Sequence, residues 1–219
     1  MKRLIIFATN GLFLLLIVLC TSDKKVDTTA IKKEIESRKI KKVTEAEIVA
    51  EVMELGNLVA SSTRKTLSSE LKQALAVGGV ENAISYCNLN AMPLVDSLSD
   101  AYGADIRRVS LKTRNPADDP SELERELLEA YQYQWKDSIS LKANVQQIDG
   151  ERYLFTKAIL VDNALCLTCH GKPDNGMLQE TSDFIKTKYP EDQATGYALG
   201  DLRGMWSITF SKKKVIQQM

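Results

Sequence analysis

The segment Cys166-Leu167-Thr168-Cys169-His170 sets two thiols three residues apart, with the chain's single histidine directly after the second. Residues three apart on a helical turn share a face, so the two thiols can reach one side of a planar ligand and the adjacent imidazole falls beneath its centre. This is the pattern of covalent haem c attachment, in which two thiols add to the haem vinyl groups and the imidazole takes the iron. Competing chemistries fit less well. A disulfide would suit an oxidising compartment, and a thioredoxin-like dithiol wants a βαβ context that the sequence lacks. Tetrahedral zinc needs four ligands, and adjacent Cys169 and His170 can hardly both reach one ion.

Composition agrees with a folded extracytoplasmic protein. The chain has 219 residues, with Lys plus Arg and Asp plus Glu both at 29 and a formal net charge of zero. No basic stretch interleaved with aromatics argues for nucleic-acid binding. Residues 1–20 join a basic start at Lys2 and Arg3 to an apolar run from Leu4 to Leu19 and read as a signal peptide. Ile17-Val18-Leu19-Cys20 is similar to a bacterial lipoprotein signal with Cys20 as the lipidated residue, although Leu19 stands where a small residue is usual. An uncleaved N-terminal helix is the next reading and a soluble secreted form the third. The first two make the domain membrane-anchored, and all three put it outside the cytoplasm. Residues 21–43 are Lys-rich without apolar periodicity and are expected to form a flexible tether.

The domain is expected over 44–219. Thr44 and Glu47 make a capping box, and Ile48, Val52, Leu55 and Val59 follow at helical spacing. Gly78-Gly79 should break this helix near Ala76. A second helix then starts near Val80, with Val80, Ala83, Ile84, Cys87, Ala91 and Leu94 on one face, and Pro93 should kink or end it. Asp105 to Lys112 alternates like a strand, Ser121 caps a helix reaching about Trp135, and Asp149-Gly150 signals a hairpin whose second strand is Glu151 to Val161. A last strand is expected over Met205 to Ser211. This order suits an antiparallel sheet with helices packed on it, an α+β arrangement.

With one histidine, bis-histidine ligation within the chain is excluded. The second axial position is left to Cys87, to Met53, Met92, Met177 or Met205, to a lysine, to water or to an open site. A lone buried cysteine is often no more than a small hydrophobe. Arg108, Lys112 and Arg114 alternate along or just past a strand. They could serve haem propionates or simply form a solvated face.

Further motifs carry a family resemblance. They are Ala83 to Cys87, Arg108 to Pro116, Cys166 to Pro173, Tyr189-Pro190-Glu191-Asp192 and Gly196 to Gly204. Over roughly Ile48 to Phe210 the chain resembles small extracytoplasmic haem c domains of unknown function, found alone or as input modules of bacterial histidine kinases and chemoreceptors. It departs from that pattern at Asp118, where Asn is usual, and at Trp206, where a smaller residue is usual. The resemblance implies a PAS-like antiparallel sheet flanked by helices, with long N-terminal helices. It also implies one covalent haem ligated by His170 and Cys87, and a pocket lined by Tyr189, Tyr197 and Arg203. A thiolate ligand would hold the potential below that of a His/Met cytochrome and could leave on reduction.

The expected function is therefore a redox or gas sensor that takes a diatomic ligand and signals to a redox or signalling partner. A low-potential electron carrier is the alternative. A peroxidase-like enzyme is disfavoured, because no distal histidine is available for acid–base work.

Overall fold

The first long helix begins where its capping box requires. The computed structural model describes residues 28–37, 42–173 and 175–219, and within them the chain from Val43 to Met219 forms one compact unit. The signal segment 1–20 and Cys20 lie outside the described residues. Helix α1 (Thr28–Ser37) occupies part of the segment expected to be an irregular tether. Its Lys, Glu and Ala content favours helix, and Ile31 and Ile35 recur four apart. Among the described residues, no helix is long and apolar enough to cross a membrane.

Helix α2 (Glu45–Tyr102) starts at Thr44, whose side chain accepts from Glu47 N while the Glu47 carboxylate accepts from Thr44 N. Its path is broken at Gly78 (φ −152°, ψ 25°) and Gly79 (φ 70°, ψ −162°). The second pair of angles is open essentially to glycine alone. The two arms, 45–77 and 80–102, fold back on each other. Asn82 Nδ2 donates to Ala74 O at 2.7 Å, Tyr86 Oη to Glu70 Oε2 at 2.8 Å, and Tyr102 Oη to Ser62 Oγ at 2.7 Å. The arm does not end at Pro93 as a proline can make it do; it continues to Tyr102, capped by Gly103 at φ 62°. Proline at 93 deprives the Leu89 carbonyl of its helical donor. Leu89 is exposed, so water can replace that donor.

The remaining elements are β1 (Ala104–Val109), α3 (Glu122–Lys136), β2 (Asn144–Gln147), β3 (Arg152–Leu160), α4 (Ala164–His170), β4 (Lys172–Pro173), β5 (Gly176–Met177), α5 (Gln179–Lys188), β6 (Leu202–Ser211) and α6 (Lys212–Gln218). The main sheet is antiparallel in the order β1-β6-β3-β2. The last strand is thus central, and most of its residues are buried. Strand alternation sends Ile106, Tyr153, Phe155, Trp206, Ile208 and Phe210 to one face, where they pack against Ile48, Val52 and Val59 of α2. Val109 and Met205 face the other way, onto Leu128 and Tyr131 of α3. The chain is an α+β protein with a helix layer on each side of its sheet. Ser121 caps α3 through Glu124, whose buried carboxylate also accepts from Arg107 Nη1 at 2.5 Å.

Gly56 sits inside α2, where alanine would ordinarily favour the helix by up to about 1 kcal/mol. Here a Cβ would overlap the ring of Phe155, which is fully buried. Gly56→Ala is therefore expected to destabilise the fold by about 1–3 kcal/mol in urea unfolding. A gain in stability would mean that the helix and the sheet are not packed this closely.

Candidate functional site

The two arms of α2, the Arg108 end of β1, the start of β6 and helix α4 enclose a cavity of about 350 Å³. Leu67, Leu71 and Leu75 of the first arm and Ala83, Ile84 and Ala91 of the second supply apolar walls. Into the same cavity face Cys87, Cys166, Cys169 and His170. The glycine break makes this possible, since it turns the Cys87 face of the second arm toward a helix almost eighty residues further along the chain.

Helix α4 is held tightly at both ends. Asn163 Oδ1 accepts from Leu165 N at 2.8 Å at its start. At its end Gly171 N donates to Leu167 O at 2.9 Å. A Cβ on Gly171 would lie 2.6 Å from that carbonyl oxygen, so a side chain there would push the helix exit open. Cys87, Cys166 and Cys169 are free thiols. Burial raises the Cys87 thiol above its usual value, against the lowering pull of Arg108 and Arg114. Burial likewise raises Cys169, where Arg114 opposes and the neighbouring Cys87 and Cys166 add to the rise.

His170 Nδ1 lies 2.7 Å from Ala194 O. A carbonyl oxygen only accepts, so Nδ1 carries the proton and Nε2 keeps its lone pair. Burial holds the ring's pKa well below its usual value, reinforced by Arg203, Arg114 and Arg108, so the imidazole is neutral and ready to ligate. Tyr197 stands edge-on to it with centroids 6.3 Å apart, and Tyr197 N donates to His170 O at 2.9 Å.

One end of the cavity is cationic. Arg108, Arg114 and Arg203 all line it. The Nε of Arg108 and of Arg203 are buried with no hydrogen-bond partner among the described residues. Burial lowers the Arg203 pKa, and Arg114 and Arg108 lower it further. Asp118 faces the same cluster. Burial raises its carboxyl while Arg108, Arg203 and Arg107 pull it down. Arg114 is occupied differently: Nε donates to Asp192 Oδ1 at 3.1 Å and Nη2 to Cys169 O at 2.5 Å and Ala194 O at 3.3 Å.

The residues expected from sequence thus divide. Cys87, Cys166, Cys169, His170, Arg108, Arg114, Arg203 and Tyr189 are brought to one cavity. Lys112 and Tyr197 stand behind its wall, with Lys112 Nζ 5.6 Å and Arg203 Cζ 5.5 Å from the Tyr197 ring centre. Of the four methionines considered as ligands, Met92 lines the cavity, whereas Met53, Met177 and Met205 pack in other clusters. Sequence reading missed the wall formed by Leu67, Leu71 and Leu75, whose fourfold spacing carries the signal. It also missed the Ala194 carbonyl, a backbone group with no sequence signal.

The comparisons with known proteins agree on one family. No curated protein matches the chain. Among solved structures, the crystal structure of the cyanobacterial haem protein Tll0287 is similar at 29% sequence identity, over 72% of this chain and 94% of that one, with a TM-score of 0.50. Residues 36–211, most of the chain and all of the cavity, match the Tll0287-like family, and the chain belongs to it.

Proposed function

We propose that this chain carries one haem c, joined to Cys166 and Cys169 through thioethers and ligated by His170 and Cys87, and that it works outside the cytoplasm as a redox or gas sensor, not as an enzyme. The observation that carries the reading is the convergence of the helix-borne Cys87 and the Cys166–His170 turn on one apolar cavity. The residues present fit the group. Two thiols stand on one helical turn beside a neutral imidazole with a free Nε2, and the unpartnered Nε–H groups of Arg108 and Arg203 call for anionic acceptors such as propionates. The match to the family of a protein described as a haem protein supports haem binding.

When bound, haem would supply a one-electron couple and, with one axial position vacated, a site for a diatomic gas. What the chain contributes is holding and release. His170 is fixed through Ala194. Cys87 rides on an arm of α2 and would be the second residue to hold the group; burial favours its neutral thiol when it is free. A ligand that can leave suits a two-state element. A low-potential electron carrier is the second reading, favoured by the same thiol ligation if Cys87 stays in place in both oxidation states.

Protein expressed with cytochrome c maturation machinery should keep its haem through acid–acetone extraction and give a pyridine haemochrome of the two-thioether type; extractable haem, or none, defeats the covalent reading. Cys87→Ala should change the ferric spectrum and favour the reduced state tenfold or more, at about 59 mV per tenfold. Met92→Leu, at the one methionine of the four that lines the cavity, should do neither. The reduced wild-type protein should bind carbon monoxide readily. Exclusion of carbon monoxide with rapid electron exchange to a small cytochrome would establish the carrier instead.

A further inference from the structure

The sequence leaves Arg114 either to a propionate or to a solvated face, yet two nitrogens of its guanidinium bond to the protein itself. Nε meets Asp192 Oδ1 at 3.1 Å in an ion pair whose side chains are only 13% and 5% exposed. Nη2 donates to two backbone carbonyls, Cys169 O and Ala194 O. The second of these is the carbonyl that accepts His170 Nδ1–H at 2.7 Å. A carbonyl oxygen has two lone pairs, and at Ala194 one goes to the histidine and the other to a cation. The residue is fixed from its other side too, because Ala194 N donates to Asp192 Oδ1 at 2.9 Å. Gln193 N to Thr113 O at 2.8 Å and Tyr197 N to His170 O at 2.9 Å bind the flanking backbone to the same assembly.

We infer that Arg114 is a positioning residue that sets how strongly His170 donates through Nε2, by sharing the Ala194 carbonyl with the ring's Nδ1–H. The physical reason is polarisation. A hydrogen bond from Nδ1–H to a strong acceptor gives the imidazole partial imidazolate character and makes Nε2 a better donor. A guanidinium on the same oxygen draws electron density away, weakens that bond and holds the ring closer to a neutral imidazole. The pair is buried, so solvent screens this effect little. Asp192 cancels part of the charge and fixes the direction of the guanidinium, while the Cys169 carbonyl ties the cation to the thioether turn itself. Arg114 thus does for the histidine's hydrogen bond what no side chain on α4 is placed to do. The inference rests on the haem reading above, and its test separates the two.

The test uses the haem-loaded protein labelled with nitrogen-15 at histidine, which marks His170 alone because it is the single histidine. In Arg114→Gln the Nδ1–H bond to Ala194 should strengthen. The Nδ1 proton should then shift downfield and exchange more slowly with solvent, and the oxidised-to-reduced ratio at a fixed ambient potential should rise several-fold, where tenfold is about 59 mV. Removing any nearby cation would also favour the oxidised state, so Lys112→Gln, which lies over Tyr197 and off the Ala194 carbonyl, is the charge-only control. It should leave the Nδ1 signal in place. Arg114→Lys keeps the charge opposite Asp192 and serves where the Gln variant does not fold; its single ammonium cannot span Asp192 and both carbonyls, so it should move the signal in the same direction by less. Loss of haem from the wild type would defeat the haem reading. Haem retained with an unmoved Nδ1 signal in the Gln or the Lys variant, or a Lys112→Gln shift matching that of Arg114→Gln, would overturn the role given to Arg114.

Discussion

The cavity exists because the chain of α2 is folded back on itself at the non-helical Gly78 and Gly79. A straight helix over the same residues would carry Cys87 far from the sheet. The reversal needs the backbone of Gly79 at φ 70°, ψ −162°, a region closed to residues with a Cβ. Once it is made, both arms lie over the same end of the sheet and each gives one wall: leucines from the first, Cys87 and small residues from the second. The wall residues Ala83 and Ala91 leave room that larger side chains would fill. Pairing of Asn82 with Ala74 O and of Tyr86 with Glu70 sets the register of the arms next to the turn, so the position of Cys87 along the cavity follows from contacts made within α2.

The electrostatics of the cavity are lopsided. Much of its apolar wall comes from α2, and the opposing end holds Arg108, Arg114 and Arg203 with Asp118 beside them. Arg114 is neutralised by Asp192. Arg108 and Arg203 each keep a buried Nε–H without a partner among the described residues. Leaving such donors unpaired costs about 1–3 kcal/mol each, more when charged, so both are available to an anion there. The same positive field, added to burial, keeps His170 unprotonated. Arginines that would receive the acidic edge of a planar ligand therefore also keep the ligating nitrogen available.

The parts of this arrangement that depend on local chemistry were legible in the sequence. Thr44 with Glu47 and Ser121 with Glu124 predict helix starts, Gly78-Gly79 predicts the break, and Asp149-Gly150 predicts the hairpin of β2 and β3; all are present. The pattern of Ala83, Ile84, Cys87 and Ala91 correctly marks one helical face, and that face lines the cavity. What depends on long-range packing was not legible. Pro93 does not end its helix, because the arm beyond it is held by Val95 in the core and by Tyr102 on Ser62. The short α6 lacks an apolar stripe in sequence, and the packing of Val215 in the core identifies it. Alternation along β1 suggests one face for Arg108, Lys112 and Arg114. The strand ends at Val109, and the three cations go to a buried cavity edge, to the Tyr197 ring and to the Asp192 clamp.

Cys87 and His170 are restrained to very different degrees, and that difference bears on the choice between switch and carrier. His170 is gripped through side chain and backbone at once: Nδ1 to Ala194, its carbonyl to Tyr197 N, the Gly171 carbonyl to Gly196 N, and the neighbouring Cys169 carbonyl to Arg114. To move it, the whole loop of residues 192–197 would have to move. Cys87 is framed mainly by packing. Its arm is tied to its partner arm by side-chain bonds, and one turn before Cys87 the buried Ile84 packs with Ile185 of α5 and with Tyr189, while Asn88 Nδ2 donates to Lys188 O at 3.5 Å. If both residues held a metal, the one on the less restrained element would yield first when the balance of bonding changes. A carrier gains from equal restraint, since ligand movement adds to the barrier for electron transfer. Here an imidazole fixed by hydrogen bonds shares the cavity with a thiol held mainly by packing, and under the haem reading proposed above that asymmetry would favour a switch over a carrier.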